Sequence, residues 1–310
     1  MLKAENKQEI INDTCDMIAT KSVARYLYHL RTITIIRHII PVIIASQQHR
    51  GSQLAFLEGD TIYQKKISDL EVEMDHRLST LKLLNTELSE PIPAWDIEQL
   101  LQEWQTVKDW SEGPPLENFN LHSHFIEKQM KLMWLSVEKT NSFFAGDIDE
   151  GYSGSNQTGF HSNHDSLLIR LILNETPELI ELIARIRGLS THALVIGSCD
   201  EDHYTWIEYL LRELNQKKEY FRELSKSLQK YVLRDFPALI ELQMQDVRIV
   251  QLVQFIEKFV LRKNNIEMDN QDVFVMATKI INSQTEVIYK GLDYIQNKMH
   301  RDFEGWHQSI

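Results

Sequence analysis

The chain predicts an all-α protein, built as two up-and-down helical bundles sharing long helices. Three observations carry that expectation. Apolar residues recur at three- and four-residue spacing along most of the 310 positions. The 11 glycines and 7 prolines cluster at a few places where helices would stop. No run of alternating β-branched residues bounded by turns calls for a sheet. With 43% hydrophobic and 25% charged residues, the composition is that of a globular protein. Elongated bundles reach this length with one continuous core. Residues 1–310 therefore read as one double-bundle domain: a first half over about 1–145, a loop over about 146–165, and a second half over about 166–310.

The first long helix is expected from about Ile10 to Leu57, with Pro41 kinking or breaking it. Gly59-Asp60 ends that helix and caps the next. Ile67, Leu70, Met74, Leu78, Leu81 and Leu88 then line one face of an amphipathic helix. Pro91 and Pro93 stop it. A helix follows from about Ala94 to Trp110, then a turn over Ser111–Pro115. The next helix carries Phe119, Ile126, Met130, Met133 and Val137 on one face and ends near Phe144. GDIDEGYSGSNQTGFHSNHD, from Gly146 to Asp165, is the one composition shift and reads as a loop.

In the second half, Asn174-Glu175-Thr176-Pro177 reads as a helix start, with Thr176 as cap and Pro177 at the first helical position. That helix runs to about Ile196, where Gly197-Ser198-Cys199-Asp200 interrupts. Ile207, Leu210, Leu214, Phe221, Leu224 and Leu228 mark the next helix. Pro237 precedes another, through Val260, and Asp269 starts a last one reaching about Phe303.

The formal charge is −12, from 33 Lys and Arg against 45 Asp and Glu. No basic run is present, which argues against direct nucleic-acid binding. An acidic surface also repels small anions, so an anion site has to be a local positive cluster inside the fold. Cys15 and Cys199 form no C-x-x-C pair, and two thiols in such a chain fit a reducing compartment. The N-terminus has no apolar core of signal-peptide length. The apolar stretch from Ile33 to Ala45 is interrupted by Arg37, His38 and Pro41, too short and polar to span a bilayer. The expected location is the cytoplasm, with no membrane partner.

Two segments are alike: QQHRGSQLAFLEGD, Gln47 to Asp60, and RIRGLSTHALVIGS, Arg185 to Ser198. Each places Arg-Gly in a helical run, followed by small polar residues, an apolar stretch and a glycine. A mid-helix glycine costs on the order of 1 kcal/mol relative to alanine. Close approach of helices at Gly51 and Gly188 would explain the cost and put Arg50 and Arg187 in a narrow space. Surface arginines beside glycines at helix ends are the other reading, and the residues alone leave both open.

The segment IIPVIIASQQHRGSQLAFLEGD resembles the opening motif of the NIT domain, a nitrate- and nitrite-sensing helical family of bacteria. NFNLHSHFIEKQMKLMWLSVEKT resembles the helix before that family's mid-domain signature. ETPELIELIARIRGLSTHAL is similar to its mid-domain signature, and MDNQDVFVMATKIINSQTEVIYKGLDYI, with Thr278 before an Ile-rich stretch, to its closing helix. The stretches keep the family's order over about Ile39 to Gln296. His49 stands where the family has an acidic residue. The resemblance implies a double bundle that binds nitrate or nitrite between helices, through Arg50 and Arg187, with Arg248 in MQDVRIVQLV as a third by position and Gly51 and Gly188 in support.

The chemistry is compatible. A guanidinium offers a planar fork of donors that can bond two oxygens of a planar anion. Two such cations about 7 Å apart repel by roughly 2 kcal/mol at an effective dielectric near 20. A bound anion removes that repulsion and draws the helices together. No bond is broken, so no enzyme activity and no cofactor is expected. Members of the family usually carry an output module, and none is expected here. The signal would pass to an unidentified signalling protein or through oligomeric state, a homodimer included.

Other constellations are weaker. His122, His124, His161 and His164, with Asp165 or Glu127, could suggest a metal, but His122 and His124 lack helical ligand spacing, so no metal is expected. Trp95, Trp104, Trp110, Trp134 and Trp206 read as core rather than an aromatic cage. His192 and His203 flank the second motif and could tune an anion site by protonation. A helical interaction or scaffold protein with no small ligand is the alternative function.

Overall fold

The computed structural model describes residues 2–110, 113–145, 163–197, 199–262 and 271–308, and these form helices joined by short turns, with no strand among them. The elements are α1 (Leu2–Leu57), α2 (Tyr63–Glu87), α3 (Ala94–Lys108), α4 (Pro115–Ala145), α5 (Asn163–Arg170), α6 (Thr176–Val195), α7 (Glu201–Val232), α8 (Ala238–Ile256) and α9 (Gln271–His307). Single π-helical turns join α5 to α6 (Leu171–Glu175) and extend α8 (Glu257–Leu261).

In the first bundle α1 packs on α2 and α4, and α3 lies across α2 and α4. In the second, α6 packs on α7 and α9, and α8 on α7 and α9. Because α1 is 56 residues long, about 84 Å at 1.5 Å per residue, it also reaches α6 and α9. One core runs through both bundles, from Ile35 and Met74 through Phe119 and Ile183 to Leu239 and Val287.

Several boundaries differ from expectation. Of the kink or break expected at Pro41, the break does not occur: Pro41 sits inside one helix, α1. Its ring replaces one N–H, while packing of Ile39, Ile40, Val42 and Ile43 in the core holds the turns on either side. Pro177 does fall in the first turn of α6, as expected, but Thr176 is its first residue and not a cap, and no loop precedes it. The chain runs from α5 through the π turn into α6, and Thr176 Oγ1 donates to the Leu171 carbonyl (2.7 Å). The wider turn accommodates the carbonyls that Pro177 cannot bond. The expected loop 146–165 contributes its last residues, from Asn163, to α5, while 146–162 and the expected start at Asp269 lie outside the described residues.

Between α2 and α3 the buried Asn85 Nδ2 donates to the Ile92 carbonyl (2.8 Å), and the Ile92 N–H donates to Asn85 Oδ1 (3.0 Å). That pair pins the proline turn. Of the tryptophans, Trp104 is buried and packs as core, but Trp95 is exposed, because it falls outside the buried face formed by Ile97, Leu100, Trp104 and Val107. The apolar stretch judged too short to span a bilayer is part of a longer one. Ser22–Leu57 is, among the described residues, long and apolar enough to cross a membrane, and half of its most apolar window is buried against other helices.

Candidate functional site

The polar centre of the molecule lies where the two bundles meet. In α1, Ser46, Gln47, His49, Arg50, Ser52 and Gln53 are all buried, an expensive run of polar groups in mid-helix that demands partners. Arg50, 1% exposed, has them. Its Nη1 donates to Glu181 Oε1 of α6 and to Ser123 Oγ of α4 (2.9 Å), and its Nη2 to Glu181 Oε2 (3.2 Å). Gln47, one turn earlier, donates to the same Glu181 Oε2 (2.9 Å). The guanidinium lies over the Phe119 ring of α4, 4.8 Å from its centroid. One arginine thus ties α1, α4 and α6 together.

The two glycines of the Arg-Gly pairs differ. A Cβ at Gly188 would come 2.9 Å from Phe119 Cε2, so this glycine does admit a neighbour, the ring beneath Arg50. At Gly51 the added carbon would meet nothing, and the residue is exposed. Close approach explains Gly188 and not Gly51, because Gly51 turns away from the face that buries Arg50.

Arg187 lies less than two turns beyond Glu181 on α6. Its Nη1 donates to Thr278 Oγ1 of α9 (2.9 Å), and its guanidinium stands 5.0 Å from the Phe274 ring centroid. Among the described residues no carboxylate lies within ion-pair distance of it. Burial pushes its pKa down to about 10, the Arg50 charge adds to the fall, and Glu181 opposes it. On α2, Lys66 is held below the usual lysine value by burial first and by Arg187 second. Arg50, Glu181 and Arg187 therefore share one electrostatic neighbourhood with a net positive charge. Arg248 is not part of it. It stands on the exposed face of α8, where its Nη1 donates to Gln245 Oε1 (3.3 Å).

Beside Arg50, two histidines form a chain whose protons can be counted. His122 Nδ1 lies 2.9 Å from the Asn118 carbonyl, which can only accept, so this nitrogen carries hydrogen. His122 Nε2 then accepts from His49 Nδ1 (2.7 Å). The neutral pair has no proton left for His49 Nε2, which is buried without a hydrogen-bond partner, 3.7 Å from Glu71 Oε1. Burial lowers His49 to about 4, with Lys108 adding, and His122 to about 3, with the charges on His49 and Arg50 adding.

A second pair repeats the plan. His203 Nδ1 faces Asp200 Oδ1 (2.8 Å), His203 Nε2 meets His192 Nδ1 (2.6 Å), and His192 Nε2 lies 3.2 Å from Glu58 Oε1 without hydrogen-bond geometry. This chain joins the end of α1 to α6 and to the start of α7. His192 and His203 therefore serve that junction and make no bond with either arginine. His124 is exposed beside Glu127 (3.4 Å), His164 stacks on Tyr231, and His161 lies outside the described residues. Among the described residues no group of three or more His, Cys, Asp or Glu could hold a metal ion.

Glu181, Gln47 and Ser123 were not singled out in the sequence, and Phe119 was read only as a core position. Glu181 did carry a signal: it interrupts Leu179-Ile180 and Leu182-Ile183 in a run that is otherwise core, and a carboxylate there needs a cation. Glu181 also lines a groove of about 650 Å³ between α4, α6 and α7, with Glu127, Trp134, Arg185, Lys217 and Tyr220.

No family model, curated protein or solved structure matches the chain.

Proposed function

We propose that this protein is a sensor of a small planar anion, nitrate or nitrite, held between helices next to Arg187. The observation that supports it is a guanidinium packed against Thr278 and Phe274, with no carboxylate partner among the described residues and a second guanidinium close by. Such a cation is costly to bury, and an anion with coplanar oxygens lowers that cost while bonding its fork. Arg187 stands on α6 of the second bundle and Arg50 on α1, which runs through both. An anion between them would bias how the bundles pack, and a partner protein or a second copy could read the change. No chemical step is involved.

Isothermal titration with nitrate, nitrite and chloride tests this. Wild type should bind the planar anions in preference to chloride, and Arg187→Ala should lose that binding. Arg187→Lys should weaken it, since an ammonium keeps the charge and loses the fork. Equal affinity in Arg187→Ala and wild type overturns the reading.

One observation favours the second reading, a helical interaction protein. Ile240, Met244 and Val247 form an exposed apolar stripe on α8. That reading expects no binding of any small anion and loss of association when Met244 becomes charged.

A further inference from the structure

We infer that Glu181 is a resident anion: its carboxylate occupies the place on Arg50 that the sensed anion takes, and binding transfers Glu181 into the groove it already lines. The inference rests on the anion-sensor reading and goes beyond it, naming the residue that opposes binding and the contact that is exchanged.

The donor inventory of Arg50 leads there. Both terminal nitrogens are engaged by Glu181, and Nη1 also by Ser123. Phe119 covers one face of the guanidinium. An anion that bonds Arg187 alone can leave this arrangement intact, but one that bridges Arg187 and the Arg50 fork cannot. The carboxylate must leave first. Carboxylate, nitrite and nitrate each present two oxygens on one planar centre, so they compete for one fork with one geometry. Chloride has no such pair of oxygens. Gln47, which donates to Glu181 Oε2, is placed to donate to the substitute in the same way.

Glu181 has somewhere to go. The groove that Glu181 lines also carries Lys131, Arg185 and Lys217. Arg185 is engaged with Glu127 (3.1 Å), and its Nε is buried without a partner. Lys217 is held between Glu175 and Glu178. A rotation of Glu181 about its own side-chain bonds exchanges an α1–α6 ion pair for contacts with cations on α4, α6 or α7. Occupancy of the Arg50 fork is thereby converted into a different set of inter-helix bonds, and α1 is freed from α6 on one side and held by the anion on the other.

Competition from a tethered carboxylate also sets affinity. If Glu181 leaves Arg50 accessible one-tenth of the time, the apparent dissociation constant is about tenfold weaker than the intrinsic one. Glu181→Gln keeps the shape and removes the charge.

The experiment is calorimetric titration of wild type, Glu181→Gln and Glu181→Asp with nitrate, nitrite, formate and chloride, with circular dichroism confirming the fold. Glu181→Gln is expected to bind nitrate, nitrite and formate about tenfold more tightly than wild type, and chloride no more tightly. Glu181→Asp keeps the charge on a shorter arm, folds with less disturbance, and should show a smaller gain of the same selectivity. If neither variant binds any planar anion more tightly than wild type, the inference is overturned, and wild-type binding through Arg187 would still leave the sensor reading standing. Conversely, formate binding gained only in Glu181→Gln, in a protein whose wild type binds neither nitrate nor nitrite, shows that formate replaces a deleted carboxylate but displaces none, and overturns both the inference and nitrate sensing.

Discussion

Gly188 of α6 faces the edge of the Phe119 ring so closely that a Cβ there would lie 2.9 Å from Phe119 Cε2. The same ring supports the Arg50 guanidinium on its face. A glycine in one half of the chain therefore sets the height of an arginine in the other.

Alanine at Gly188 should push the buried Phe119 ring and cost about 1–3 kcal/mol, as overpacking does. Alanine at Gly51, exposed in mid-helix with open space, should instead stabilise by up to about 1 kcal/mol. Urea unfolding of the two variants checks this pair, whose signs should be opposite despite the shared Arg-Gly motif.

Arg50→Ala leaves Glu181 buried and without its cation, and should cost about 3–5 kcal/mol. Removing both partners in Arg50→Ala/Glu181→Ala should cost less than Arg50→Ala alone, because no uncompensated charge remains. A double-mutant cycle by denaturant unfolding measures the difference. A double variant no more stable than Arg50→Ala would show that Glu181 is not the group left stranded.

The first histidine pair carries a pH dependence of definite sign. Burial holds His49 and His122 at about 4 and about 3, against an ordinary imidazole value of 6.5. Folded chains thus bind fewer protons than unfolded ones below pH 6.5. Their stabilising contribution is complete above 6.5 and is lost as pH falls from there toward the folded values. Each proton involved changes stability by at most about 1.4 kcal/mol per pH unit. Unfolding free energies between pH 7 and 5 should fall accordingly, while imidazole NMR shifts show His122 still neutral at pH 5 with its hydrogen on Nδ1.

At the second pair the neighbours differ. Burial and then His203 lower the His192 pKa, and the Glu58 and Asp200 charges oppose them. Glu58→Gln removes one opposing charge, so the His192 ring should titrate at lower pH than in wild type. An unchanged NMR titration midpoint would mean that Glu58 does not act on it. Asp200→Ala should in addition cost about 1 kcal/mol, since Asp200 Oδ1 accepts the His203 N–H and caps α7.

Local chemistry determined the helices and their buried faces. Ile67, Leu70, Met74, Leu78 and Leu81 repeat at helical spacing and are buried in α2, and Ile207 through Leu228 do the same in α7, because periodicity is a property of neighbours along one helix. Local signals misled where packing outweighed them: Pro177 follows a π turn rather than a loop, and Trp95 points to solvent. At the candidate site, Arg50 and Arg187 were legible as arginines beside helical glycines. What only the tertiary structure decided was their partners. Arg50 meets a carboxylate 131 positions away and Arg187 a hydroxyl 91 positions away, while Arg248 meets neither arginine. Nothing in a residue's own neighbourhood encodes such a distance. It arises because a helix of 56 residues is long enough to pass through both bundles, so a polar run on one face of α1 finds its partners on helices from each.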